Sequence, residues 1–152
     1  MKKVIAWVGV IVILFAGSVW WSKNLQKNDP DIISRSGLHW HPIVEIYVKG
    51  AKQEIPPDLG IGITYSNFPA FDSQMNMTPI HTHDDATEGI VHLEFPGIVR
   101  RDDTKLGNFF EIWGKDINSF GSNVRMIVNG AENTELGVYF MQDGDKIELR
   151  YE

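Results

Sequence analysis

The chain has 152 residues, 43% of them hydrophobic and 22% charged, with a formal net charge of −6 and no cysteine. That composition suits a folded globule about one domain in size and excludes general disorder. The missing cysteine excludes disulfides, thiolate zinc sites, iron–sulfur clusters, cysteine nucleophiles and a lipid-modified cysteine. The charge is unevenly placed. Lys2, Lys3, Lys23 and Lys27 flank the N-terminal apolar run, and from Asn28 onward ten basic residues face twenty acidic ones, a net of −10. Nucleic acid and anionic lipid surfaces repel such a domain, whereas cations suit it.

Residues 4–21 carry no formal charge. As a helix rising ~1.5 Å per residue they nearly cross a hydrocarbon layer of ~30 Å. Lys2 and Lys3 precede the run, so residues 1–3 are expected in the cytoplasm and the remainder outside. Trp20 and Trp21 stand where an interfacial anchor belongs. The reading is an uncleaved single-pass anchor in the cell membrane. The alternative is a signal peptide cleaved near Ala16-Gly17-Ser18, which would release a secreted domain. Residues 22–37 are polar and read as a linker, and residues 38–152 as the extracytoplasmic domain.

Within that domain, residues 40–48 alternate as a strand, with Trp40, Val44, Ile46 and Val48 on one face. Lys49 to Lys52 read as a turn and Gln53 to Ile55 as a short return strand, which Pro56-Pro57 ends. Residues 60–79 look irregular. Residues 80–83 and 90–95 flank the polar turn 84–89 as a β-hairpin, with Ile90, His92 and Glu94 sharing a face. Thr104 is placed to cap a helix over residues 105–113, which buries Phe109, Phe110, Ile112 and Trp113 and ends at Gly114, with Gly107 weakening it. A strand over 123–128 leads into the turn Asn129-Gly130. A short strand over 138–141, the turn Asp143-Gly144-Asp145 and a final strand over 146–151 follow. The fold class is α+β: an N-terminal transmembrane helix and a mainly β domain.

The run Met126-Ile127-Val128-Asn129-Gly130 with Asp143-Gly144-Asp145-Lys146-Ile147-Glu148-Leu149 resembles the last strands of ubiquitin-like sulfur carriers. The resemblance implies a β-grasp domain, here with an inserted histidine-bearing hairpin. Those carriers end in Gly-Gly and this chain in Arg150-Tyr151-Glu152, so the likeness extends to fold and not to activity.

All five histidines fall into closely spaced pairs: His39-Trp40-His41, His81-Thr82-His83, and His92 two residues before Glu94. On an extended strand, side chains at i and i+2 point the same way, about 6.5–7 Å apart, so each pair can converge on one ion. A sheet face carrying His39, His41, His81, His83, His92 and Glu94 offers ligands for copper or zinc, with iron or manganese also possible. Asp84, Asp85, Glu88 and Glu45 are candidates to orient the imidazoles from behind. A histidine cluster responding to pH, or one merely capping backbone groups, is the metal-free alternative. Met75-Asn76-Met77 lies just before His81, and soft thioethers beside imidazoles favour copper.

The segment from His81 to Glu88 resembles the first cupin motif, an HxH followed by a glutamate. That likeness implies His81, His83 and Glu88 as ligands in a cupin-like β-barrel. Met75 stands where that motif has a glycine. The HTHD hairpin and Phe109 to Gly114 together resemble exported, membrane-anchored His-rich proteins with an HxH…HTHD…HxE pattern, a likeness that brings no activity with it. Gly60-Ile61-Gly62 precedes no helix, and no G-x-S-x-G occurs, so nucleotide-loop and serine-hydrolase chemistry are not expected. Three functions follow as expectations. The first is transition-metal capture or delivery. The second is a metal-dependent oxygenase, isomerase or hydrolase with a pocket lined by Trp40, Phe68 or Phe71. The third is a metal-free envelope interaction module whose protein partner the sequence does not identify.

Overall fold

The computed structural model describes residues 2–27 and 29–152. Two compact units result, Met1–Asp31 and Ile32–Glu152. The first is built on α1 (Lys2–Lys27), whose stretch Trp7–Asn24 is long and apolar enough to cross a membrane or to serve as a signal sequence. Its described side chains are exposed throughout.

The second unit is mainly β. Its centre is a five-stranded mixed sheet built from β3 (Ile43–Val48), β4 (Ala51–Gln53), β8 (Val124–Val128), β9 (Ala131–Asn133) and β10 (Lys146–Tyr151). The order is β4-β3-β10-β8-β9, with β3 and β10 parallel in the middle and every other pair antiparallel. Val44 and Ile46 on β3, Met126 on β8, and Ile147, Leu149 and Tyr151 on β10 are buried. Leu106, Phe109 and Phe110 of α2 (Leu106–Ile112) belong to the same core. The period-2 pattern of these strands sets which face is buried, because a one-residue slip would expose the whole set.

A three-stranded antiparallel sheet, β2 (Leu38–Trp40), β6 (His92–Phe95) and β5 (Ile80–His81), adds Ile80 and Leu93 to that core. A two-stranded sheet pairs β1 (Ile32–Ser34) with β7 (Val99–Arg100). The segment 22–37 is therefore not uniform: α1 continues to Lys27, and Ile32 to Ser34 are strand. The domain sheets are open, with no closed barrel among the described residues, so the cupin-like barrel does not describe them.

Several local expectations are corrected. The strand foreseen over 40–48 is two strands in two different sheets, broken at His41-Pro42. Proline has no N–H to donate, but the Pro42 carbonyl accepts from Val91 N at 3.0 Å. The return strand β4 starts at Ala51, because Lys49 (φ 49°) and Gly50 (φ 82°) alone make the turn. Asn129 (φ 52°) and Gly130 (φ 83°) make the same turn for β8 and β9. Thr104 ends a 3-10 turn, Arg101–Thr104, and its hydroxyl donates to the Arg101 carbonyl at 3.1 Å instead of capping α2. Gly107 is the close-approach point of that helix, since a Cβ there would sit 2.8 Å from the Gly137 carbonyl. Residues 138–141 are not a strand: Leu136–Val138 is a 3-10 turn, and Phe140 makes one isolated bridge to Lys105.

Candidate metal centre

The three-stranded sheet assembles the histidines. β6 lies between β2 and β5, with His39 opposite Glu94 and His81 opposite His92. His92 and Glu94 share a face of β6 by alternation, and directly opposed side chains meet across antiparallel strands. Thr82, between the two histidines of the second doublet, faces the other way and is buried. Its hydroxyl donates to the Pro56 carbonyl at 2.9 Å and accepts from Leu59 N at 3.0 Å. Gly60 (φ +78°) lets that same loop lie flat against the strand, because a Cβ there would collide with the Thr78 hydroxyl and the Ile80 carbonyl. At the end of β2, His41 N donates to Asp143 Oδ1 at 2.9 Å. Asp143 belongs to the turn before β10. The buried Asp145 holds that turn, accepting from Tyr139 Oη, Gln142 N and Asn129 Nδ2, each at 2.8 Å.

The five rings form a connected chain. Centroids lie 4.7 Å apart for His39 and His41, 4.8 Å for His41 and His92, 4.8 Å for His92 and His83, and 4.9 Å for His83 and His81. His81 and His92 stack at 5.5 Å. Among the described residues, two triads could hold a metal ion, His39–His41–His92 and His81–His83–His92, each with ligand atoms within 4.8 Å of one another. His92 belongs to both.

The hydrogen bonds assign the protons. His81 Nδ1 lies 3.0 Å from the Thr78 carbonyl, which can only accept, so Nδ1 carries the hydrogen and Nε2 the lone pair. His92 Nε2 lies 3.0 and 3.2 Å from the two oxygens of Asp85, so Nε2 donates and Nδ1 keeps the lone pair. His81 Nε2 and His92 Nδ1 are both buried and without a hydrogen-bond partner. Unsatisfied buried nitrogens are rare, because each loses its hydration and gains nothing in return. An oxygen acceptor behind each imidazole, with the other nitrogen bare, is the arrangement of metal-ligating histidines.

Glu94 Oε1 sits 3.1 Å from His39 Nε2 and 3.9 Å from His92 Nδ1, beside the first triad. His39 Nε2 is also 3.1 Å from His41 Nε2. Of the carboxylates expected behind the imidazoles, Asp85 takes that position. Glu45 instead bonds Lys52 and Tyr47, and Glu88 is an exposed residue ending the 3-10 turn Asp84–Glu88. The ligand role that the cupin likeness implies for Glu88 is replaced by carboxylate contacts from Asp85 and Glu94. The Thr78 carbonyl and Asp143 were not foreseen. A backbone acceptor leaves no side-chain signal, and Asp143 reads in sequence only as a turn residue.

Met75 is exposed, Met77 half-buried, and both line a cavity of 230 Å³ with His39, Glu94 and Asp72. Phe68 lines a different cavity with Ile80, Phe95 and Ile112, and Trp40 another with Arg101, Tyr139 and Phe140.

Burial holds the His81 pKa below its ordinary value, opposed by the Thr78 carbonyl. The unfolded chain takes up this proton near pH ~6.5 and the folded chain resists it, so stability from His81 is complete above about 6.5 and is lost as pH falls toward the folded value. The metal-free chain should therefore lose thermal stability as pH falls below about 6.5, and His81→Gln should flatten that slope. Equal slopes in the two proteins, followed by circular dichroism, would show that His81 is not the group responsible.

Comparison with family models, with curated proteins and with solved structures yields no match to this chain.

Proposed function

We propose that this chain is a membrane-anchored, extracytoplasmic protein that captures a transition-metal ion and hands it on, with copper preferred over zinc. The carrying observation is the pair of buried bare nitrogens, His81 Nε2 and His92 Nδ1, each backed by an oxygen acceptor on its other side. Metal ligands are His39, His41, His81, His83 and His92, with Glu94 as a further donor beside His39. Neutral imidazole suits copper and zinc, and carboxylate-rich sites suit iron and manganese less selectively. The thioethers of Met75 and Met77, in one cavity with His39, favour copper among them.

Export is supported by Lys2 and Lys3 ahead of the apolar helix, with no further charge until Lys23. The order β4-β3-β10-β8-β9, with α2 between the two hairpins, supports a β-grasp reading of the central sheet. The metal-enzyme reading needs a substrate cavity at the triads. The cavities bearing Phe68 and Trp40 are lined by none of the five histidines, and the cavity of Met75 and Met77 is lined by His39 alone among them, so none of these cavities is lined by a whole triad.

The test is metal binding by the full chain in detergent, dialysed against Cu²⁺ or Zn²⁺ and analysed for bound metal. The expected result is at least about one equivalent per chain, bound more weakly in the His81→Ala/His83→Ala double variant, which keeps only the His39–His41–His92 triad, with the far-ultraviolet circular dichroism retained. A wild-type chain that stays metal-free, and whose thermal stability chelators leave unchanged, would instead indicate the metal-free interaction module.

A further inference from the structure

Two triads that share one residue allow two architectures. His92 either bridges two ions with its two nitrogens, or lends a single nitrogen to one ion at two successive positions. The protons decide between them. His92 Nε2 faces both oxygens of Asp85, at 3.0 and 3.2 Å, and a carboxylate there requires Nε2 to carry hydrogen. That leaves Nδ1 as the ring's one lone pair. It is buried, without a hydrogen-bond partner, and 3.9 Å from Glu94 Oε1, which itself touches His39.

The two triads also differ in access. His39 is 61% exposed and His41 half-buried, beside the cavity that holds Met75 and Met77. Across His92, the second triad pairs an exposed His83 with His81, which is fully buried and has its ring fixed by the Thr78 carbonyl, so the difference in access rests on His81. Mobile exposed ligands bind quickly and release quickly, whereas a buried, pre-oriented ligand resists release.

We infer that the five histidines form a one-ion relay: His39 and His41 capture the ion, His92 Nδ1 is common to both positions, and His81 with His83 retain it. This inference rests on the metal-binding reading above and adds order and stoichiometry to it. Transfer exchanges the His39 and His41 lone pairs for those of His81 and His83 while Nδ1 stays bound. No proton or electron moves and the ion keeps its charge.

The experiment uses the full chain in detergent with Cu²⁺ as the probe, following binding by stopped flow, release by chelator challenge, and occupancy by electron paramagnetic resonance. The expected stoichiometry is about one magnetically isolated Cu²⁺ per chain. His39→Ala/His41→Ala should slow association about tenfold and leave release unchanged, while His83→Ala should leave association unchanged and speed release about tenfold. These positions are exposed or half-buried, so the variants should keep the fold. Two spin-coupled Cu²⁺ ions per chain would establish the bridged architecture and overturn the relay. So would a single ion whose release, not capture, depends on His39 and His41. Both outcomes leave metal binding intact, whereas a wild-type chain that binds no Cu²⁺ removes the metal-binding reading and the relay together.

Discussion

Replacing His92 with alanine is expected to cost more than about 100-fold in metal affinity, the largest loss of any single change in the cluster. Each doublet histidine belongs to one triad, and its loss leaves the other triad complete. His92 belongs to both, so its loss leaves two pairs of imidazoles and no triad. The reason lies in the sheet. β6 is the middle strand, and its residue 92 opposes His81 directly while its ring stands 4.8 Å from both His41 and His83. Asp85→Asn should cost less, about 10–100-fold, because it frees the ring to turn without removing the donor. Competition against a chromogenic chelator measures both. Loss of affinity in His92→Ala of no more than a few-fold would mean the triads do not depend on the shared ring. The same ranking inverted, with Asp85→Asn the worse variant, would make Asp85 a ligand in its own right.

Phe109→Ala should destabilise the folded unit by about 3–5 kcal/mol, the range for deleting a fully buried phenylalanine. Phe109 is fully buried, and its ring lies 5.6 Å from Phe110 and 5.8 Å from Trp113. Trp113 reaches Phe120 at 5.6 Å, and Phe120 reaches Tyr151 on β10 at 5.6 Å, so the aromatic chain ties α2 to the central sheet. Tyr151 closes it by donating from its hydroxyl to the Ile117 carbonyl at 2.6 Å. Removing the ring costs its transfer free energy and leaves a cavity that a packed core cannot fill. Total stability of a domain this size is about 5–15 kcal/mol, so the variant should lose a large share of it. Denaturant unfolding measures the change, with the exposed Val138→Ala as a control expected within about 0.5 kcal/mol of wild type. A Phe109→Ala loss under about 1 kcal/mol would mean that α2 does not anchor the sheet.

The sequence alone carried the apolar N-terminal helix, the α+β character, the hairpin around residues 84–89 and the aromatic face of α2. Each of these rests on local signals: an uncharged run, alternation, a turn residue, a helical stripe. It also carried the five histidines as ligand candidates, because spacing of two on a strand puts side chains on one face wherever that strand lies. Where the strands lie is a long-range matter. Nothing local says that residues 38–40 leave the 43–48 strand for another sheet, or that His39 faces Glu94 and His81 faces His92.

Only the tertiary structure divided the histidines into two triads, made His92 common to both, and chose Asp85 over Glu45 and Glu88 as the carboxylate behind it. It alone turned Thr78 and Asp143 into supports, since one acts through a backbone carbonyl and the other across about a hundred residues of chain. Composition fixed which donors exist, and with no cysteine they had to be imidazole, thioether and carboxylate. Strand pairing decided which of them meet, because a sheet brings together residues that the chain keeps far apart.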